Sequence, residues 1–360
     1  MSLPLENNSM LLQTPRIDAQ RTAASRKVKR NAALDFTKGA LVLIMVLYHW
    51  INYFIGPQWG YYRYLRFLTP SFIFISGFIV SNIYLSKFDV ADPRLPKRLF
   101  TRGFKLLVIF LFLNVARTYI VPILGTGVIP RKFVDIRDIF NVFISGNVPI
   151  AGGKLISFYI LVPISYLLMF AAVLMLPHRF YRYTFHIVCV LLLTVCVAAE
   201  FKGVQSPNLE LVTIGMLGLL SGFASIASIN QFVQHPFMLG IAYLGYTIAI
   251  SIWNVPFSLQ AVGVPLSVIV IYLIGDSGND SSRIRSEVIL LGKYSLFGYI
   301  SQIAILQILY AGLRQLNSYV GVQLISFVAA FSLTIISVEA IDRARSKALI
   351  MDKLYKAVFA

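Results

Sequence analysis

Ten stretches of the chain are apolar for long enough to cross a membrane as helices: 34–54, 67–85, 103–121, 155–176, 184–199, 209–228, 236–252, 256–274, 288–311 and 319–340. A helix rises about 1.5 Å per residue, so some twenty residues cover a hydrocarbon core of about 30 Å. The pattern predicts an all-α fold, a polytopic membrane helix bundle of about ten transmembrane helices. Most of the 32 lysines and arginines fall in the connections on the N-terminal side, which predicts N-in and C-in topology. Residues 1–29 are polar and basic with no apolar core. They read as a disordered cytosolic tail with no cleavable signal peptide, so the first span directs insertion. The membrane domain is expected over 30–342, followed by a second basic cytosolic tail, 343–360.

Polar residues interrupt this pattern at a few places, and the first span is the most informative. Asp35, Lys38, Val42, Met45, His49 and Asn52 recur at helical steps and share one face. An ionisable side chain within a span is costly in lipid and usually faces the bundle interior or a water-filled cavity, which makes His49 a candidate site residue. The plainer reading is a histidine hydrogen-bonded to a neighbouring helix for packing. In the third span Arg117 lies at nearly the depth of His49; its plainer reading is an arginine snorkelling to the outer interface. The connection before that span carries Lys87, Arg94, Lys97, Arg98, Arg102 and Lys105. On a helix, Arg98 and Arg102 would share a face and could grip phosphates, or they could serve as an orientation signal beside anionic lipid. Within the external connection 122–153, residues 133–144 mix apolar and charged positions as an interfacial helix would.

Composition narrows the class. With 58% hydrophobic and 13% charged residues the chain is no soluble domain, and a net charge of +17 carried beside spans points to anionic lipid headgroups and not to nucleic acid. Cys189 and Cys196 would stand about 10 Å apart along one helix, so neither a mutual disulfide nor a metal site is expected. His178, His186 and His235 read as interfacial residues, and Gly215, Gly218 and Gly222 as small residues spaced for close helix packing. Phosphate-binding loops, dinucleotide fingerprints and hydrolase or zinc motifs are absent from the sequence.

Arg30, Leu34-Asp35, Lys38-Gly39 and His49 together resemble the first-helix signature of the transmembrane acyltransferase superfamily, which includes bacterial glycan O-acetyltransferases, glucan-modifying acyltransferases and the heparan glucosaminide acetyltransferase. Phe72-Ile-Phe-Ile-Ser76-Gly77-Phe78 is similar to its second-helix pattern, and Leu291-Gly-Lys-Tyr-Ser295-Leu-Phe-Gly-Tyr299 to a late segment. The resemblance implies an acyltransferase moving an acyl group, acetyl foremost, from cytosolic acyl-CoA to a hydroxyl of an envelope glycan or glycolipid in the bacterial cytoplasmic membrane. His49 would be the general base or carry the acyl group, with Arg117 beside it. Arg30, Asp35, Lys38, Arg98 and Arg102 would meet the donor, the last two in place of the Arg-x-x-Arg motif usual in the family. The stretch Ser157–Tyr166 lacks the glutamate that many bacterial O-acetyltransferases carry there, so the branch stays open. No metal is implied. The alternative is a transporter or flippase without covalent chemistry, against which the chain offers no inverted repeat.

Overall fold

The computed structural model describes residues 31–56, 59–85, 94–126, 141–144, 146, 157–224, 231, 235–253, 255–278, 282–316 and 319–359. Arg30 and the N-terminal tail lie outside them, as does the expected interfacial helix except for its last turn, 141–144. Among the described residues the fold is all helix, and eight helices are long and apolar enough to cross a membrane. Two shorter apolar helices, of 15 and 17 residues, stand where the sixth and seventh spans are expected.

The first helix, α1 (Ala32–Trp50), has a defined start. The Asn31 side chain accepts from the Leu34 N–H at 3.1 Å and donates to the Tyr272 hydroxyl at 3.1 Å, while Asp35 in the first turn complements the helix dipole. The helix then widens into a π-helical turn, π1 (Ile51–Ile55), which ends where Gly56, at φ +105°, donates to the Ile51 carbonyl. A short helix α2 (Trp59–Leu65) leads into α3 (Leu68–Ile79), and α3 ends in a second π-helical turn, π2 (Val80–Leu85).

The third span differs from expectation at its start. Helix α4 (Arg94–Thr126) begins nine residues before position 103, so the basic residues from Arg94 onward are helical and not a loop. After α4 come α5 (Leu161–His178), α6 (Thr184–Phe201), α7 (Pro207–Ser221), α8 (Pro236–Ile252) and α9 (Phe257–Ser277). The expected ninth span, 288–311, straddles a break. An amphipathic helix α10 (Arg283–Lys293) stops at Tyr294, and the apolar helix α11 (Ser295–Leu313) starts afresh. Helix α12 (Val320–Lys347) is followed after Ala348 by α13 (Leu349–Phe359), so the basic C-terminal segment is itself helical.

Glycines set the closest contacts. A Cβ on Gly39 would strike the Val288 carbonyl, and one on Gly292 the Asp35 carbonyl, so α1 and α10 cross backbone to backbone. Gly77 of α3 abuts Gly215 of α7, and Gly218 abuts Phe74, while a Cβ on Gly222 would meet the Ser81 hydroxyl; this is the packing expected of those glycines. Helix α5 lies along α4, with Gly103 against Ser165 and Met169. Both cysteines are buried and free, and the Cys196 thiol meets the Thr213 hydroxyl at 3.3 Å.

The break at Tyr294 is held by polar bonds. Lys293 and the Tyr294 hydroxyl both bond Asp342 of α12, at 2.7 and 2.5 Å. Burial and the Asp342 bond raise the Tyr294 hydroxyl above the ordinary phenol range, so it remains a donor. Helix α13 docks beside this joint: Asp352 pairs with Lys356 and Arg345, and Arg345 lies 4.1 Å from the Tyr355 ring centroid. The Lys356 and Arg345 bonds hold the Asp352 carboxyl below its usual range.

Candidate functional site

Two polar centres lie along α4, separated by about 20 Å, and the outer one is shared with the end of α1. The inner one forms around Tyr84, a residue of π2. Arg102 donates to its hydroxyl, and the guanidinium carbons of Arg98 and Arg102 lie 5.8 and 5.9 Å from its ring centroid. These are cation–π distances. Because α4 starts at Arg94, the four-residue spacing of the two arginines does put them on one face, as anticipated. Arg94, Lys97, Arg98, Thr101, Arg102 and Lys105 line an open cavity of about 360 Å³. Lys105 also donates to the Ala357 carbonyl of α13, at 3.2 Å.

Asp35 and Lys38 form an ion pair of 2.6 Å at the α1–α10 crossing, almost wholly buried. Lys38 is therefore a partner of Asp35, as expected, while Arg30 lies outside the described residues; this pair belongs to a different helix junction from the arginines at Tyr84. Its burial beside Gly39 and Gly292 gives the Lys38-Gly39 and Leu291-Gly292 motifs a packing reason independent of any ligand.

The outer centre forms where α1 gives way to π1. His49 is half-buried, its ring edge-on to Tyr48 at 5.0 Å. Tyr53 follows one turn later and lies within electrostatic range of both Arg117 and Tyr299. The Gln307 amide of α11 donates to the Tyr53 hydroxyl at 3.3 Å and to the Ser157 hydroxyl at 2.9 Å. Asn114 of α4 closes the ring. Its amide donates to the Ser157 carbonyl at 2.9 Å, and its carbonyl accepts from the Ser157 N–H at 2.8 Å. Arg117 sits one turn beyond Asn114, with its Nε buried and without a hydrogen bond among the described residues. Tyr53 is thus near Arg117 and one helical turn after His49 in sequence.

Several members of this centre escaped sequence reasoning. Tyr299 also closes the late motif of the resemblance, whereas Tyr53 and Gln307 are single polar groups in apolar runs, where the rule that intramembrane polar residues face the interior is the only signal. Phe158 carries none. It is a non-glycine residue at φ +62°, a backbone state costing about 1–3 kcal/mol that clusters at functional sites. Its ring is buried edge-on to Tyr299, 6.3 Å away. Next to it, Tyr159 donates to Asn208 at 2.6 Å. Gln302, one turn after Tyr299, is fully buried with neither amide atom hydrogen-bonded among the described residues. It lies on α11 between Gly298, which packs on Val42, and Leu306, which clusters with Val46.

Chemically, the inner centre offers clustered cations for phosphate, and the outer one offers an imidazole, a guanidinium and neutral hydroxyl and amide groups in a water-poor setting. Among the described residues no group of three or more His, Cys, Asp or Glu side chains could hold a metal ion. Comparison with protein-family models, with curated proteins and with solved structures gives no match, so the functional reading rests on these two centres and on the motif resemblance.

Proposed function

We propose that the protein is a membrane-embedded acyltransferase that moves an acyl group, acetyl foremost, from cytosolic acyl-CoA to a hydroxyl of an envelope glycan or glycolipid. The observation that supports it is that α4 runs from the basic cavity at Arg94–Lys105 to Arg117, whose neighbour Tyr53 follows His49 by one helical turn. Five cationic side chains around one groove fit the phosphates of an acyl-CoA, with Arg98 and Arg102 as the main contacts.

In this reading His49 takes the proton of the acceptor hydroxyl as its oxygen attacks the thioester carbonyl. Arg117 donates to the developing oxyanion. His49 then returns the proton to the departing thiolate as the carbon–sulfur bond breaks. A neutral imidazole has a reference pKa near 6.5, and general base catalysis contributes about 10²- to 10⁴-fold. The protein would work in the bacterial cytoplasmic membrane, with both termini in the cytosol.

The test incubates purified protein in vesicles with labelled acetyl-CoA and candidate glycans and measures CoA release. Release by the wild type, reduced at least about 100-fold in His49→Ala at matched membrane levels, is expected. Movement of a solute across the vesicle without CoA release would replace this reading with a transporter.

A further inference from the structure

Helix α6 is the least buried of the eight long helices, and a cavity lies along its exposed side. That cavity is an open groove of about 680 Å³. Its composition changes along its length. Tyr181, Tyr183 and His186 line one end, and Val190, Leu191 and Val195 line the other. From His186 to Val195 the helix rises about 14 Å, close to half of a hydrocarbon core of about 30 Å. The groove therefore has the length and polarity of one bilayer leaflet.

Packing fixes which leaflet. Asn114 bonds Ser157 and Gly103 meets Met169, so α5 runs back along α4 and ends at His178 on the Arg94 side. The polar end of the groove thus shares a membrane face with the basic cavity, the cytosolic face by the charge distribution. Arg179 and Arg182 stand in the turn at this end. Both are exposed, and neither makes an ion pair or a side-chain hydrogen bond among the described residues. Tyr181 and Tyr183 beside them sit at the headgroup level favoured by aromatic residues. The cytosolic leaflet is also where anionic lipids concentrate.

We propose that this groove binds one anionic phospholipid of the cytosolic leaflet, its headgroup phosphate at Arg179 and Arg182 and an acyl chain along Val190, Leu191 and Val195. The site is separate from both centres of the proposed reaction and does not depend on that reading. Each basic residue near an anionic surface contributes about fivefold to affinity, so two predict a preference of about 20-fold for an anionic over a zwitterionic lipid of the same chains.

The experiment uses the full chain in a zwitterionic detergent, titrated with phosphatidylglycerol or phosphatidylcholine of matched chains, with bound lipids counted by native mass spectrometry. One retained phosphatidylglycerol per chain is expected, preferred at least about 10-fold. In Arg179→Gln/Arg182→Gln the preference should fall below about threefold. These side chains hold no bonds, so the change removes charge without disturbing the fold. Val190→Trp, which fills the apolar half, should reduce retention of both lipids. Equal retention of the two lipids by the wild type would overturn the proposal, as would an undiminished anionic preference in the arginine variant. Should Val190→Trp fail to fold, the arginine pair alone decides.

Discussion

Arg117 stands at the outer end of its span, and its Nε is buried without a hydrogen bond among the described residues. A snorkelling arginine would extend toward water and leave no such orphan. Tyr53 lies within electrostatic range of Arg117, and Asn114 stands one turn before it on α4. The planar fork of arginine then matters as well as its charge. If Arg117 donates to an oxyanion, Arg117→Lys should lower the turnover of labelled acetyl-CoA about 10²- to 10³-fold at equal membrane levels. Activity preserved in both Arg117→Lys and Arg117→Ala would remove it from the site. Gln302 presents a similar case without a charge: two buried amide atoms lacking partners cost about 1–3 kcal/mol each, and its side chain faces the helix that carries His49.

Among elements, the joint between α1 and α10 explains why part of the sequence was legible and part was not. Hydropathy located the apolar helices because length and apolarity are local properties, and it located His49 because a charge-bearing group interrupts an apolar run. It could not locate the break at Tyr294, since that break is made by Asp342, 48 residues away. Nor did mean hydropathy show that the basic stretch is helical, because its cations mask an apolar face on which Leu95, Leu99, Leu106 and Phe110 are all buried in the core. The π-helical turns were equally invisible, though one follows His49 and the other supplies Tyr84. Such turns are rare and often mark functional sites. The glycines of the motifs were readable as resemblance, and their physical role emerges only from the crossing. Gly39→Ala places a methyl on the Val288 carbonyl, a backbone atom with no rotamer to yield, and should cost about 1–3 kcal/mol. Thermal unfolding in detergent should show the loss, and the same change at Gly240, which has open space around it, should show none.

At the scale of the molecule, the ends of the helices sort into two groups. Tyr272 at Asn31, Asp342 at Tyr294 and Ala357 at Lys105 mark one end, and Ser326 at Trp50 and Gln307 at Tyr53 mark the other. With the positive charge concentrated at the first end, a reporter fused after Ala360 should be cytosolic and one inserted near Gly125 external. Both reporters on one side would overturn the arrangement. The α1–α10 crossing also bears on traffic through the protein. With backbone pressed on backbone at Gly39 and Gly292, that flank of α1 is shut to anything that must be handed from one face to the other. Under the proposed reaction, an acyl group handed between the faces passes along another side of α1.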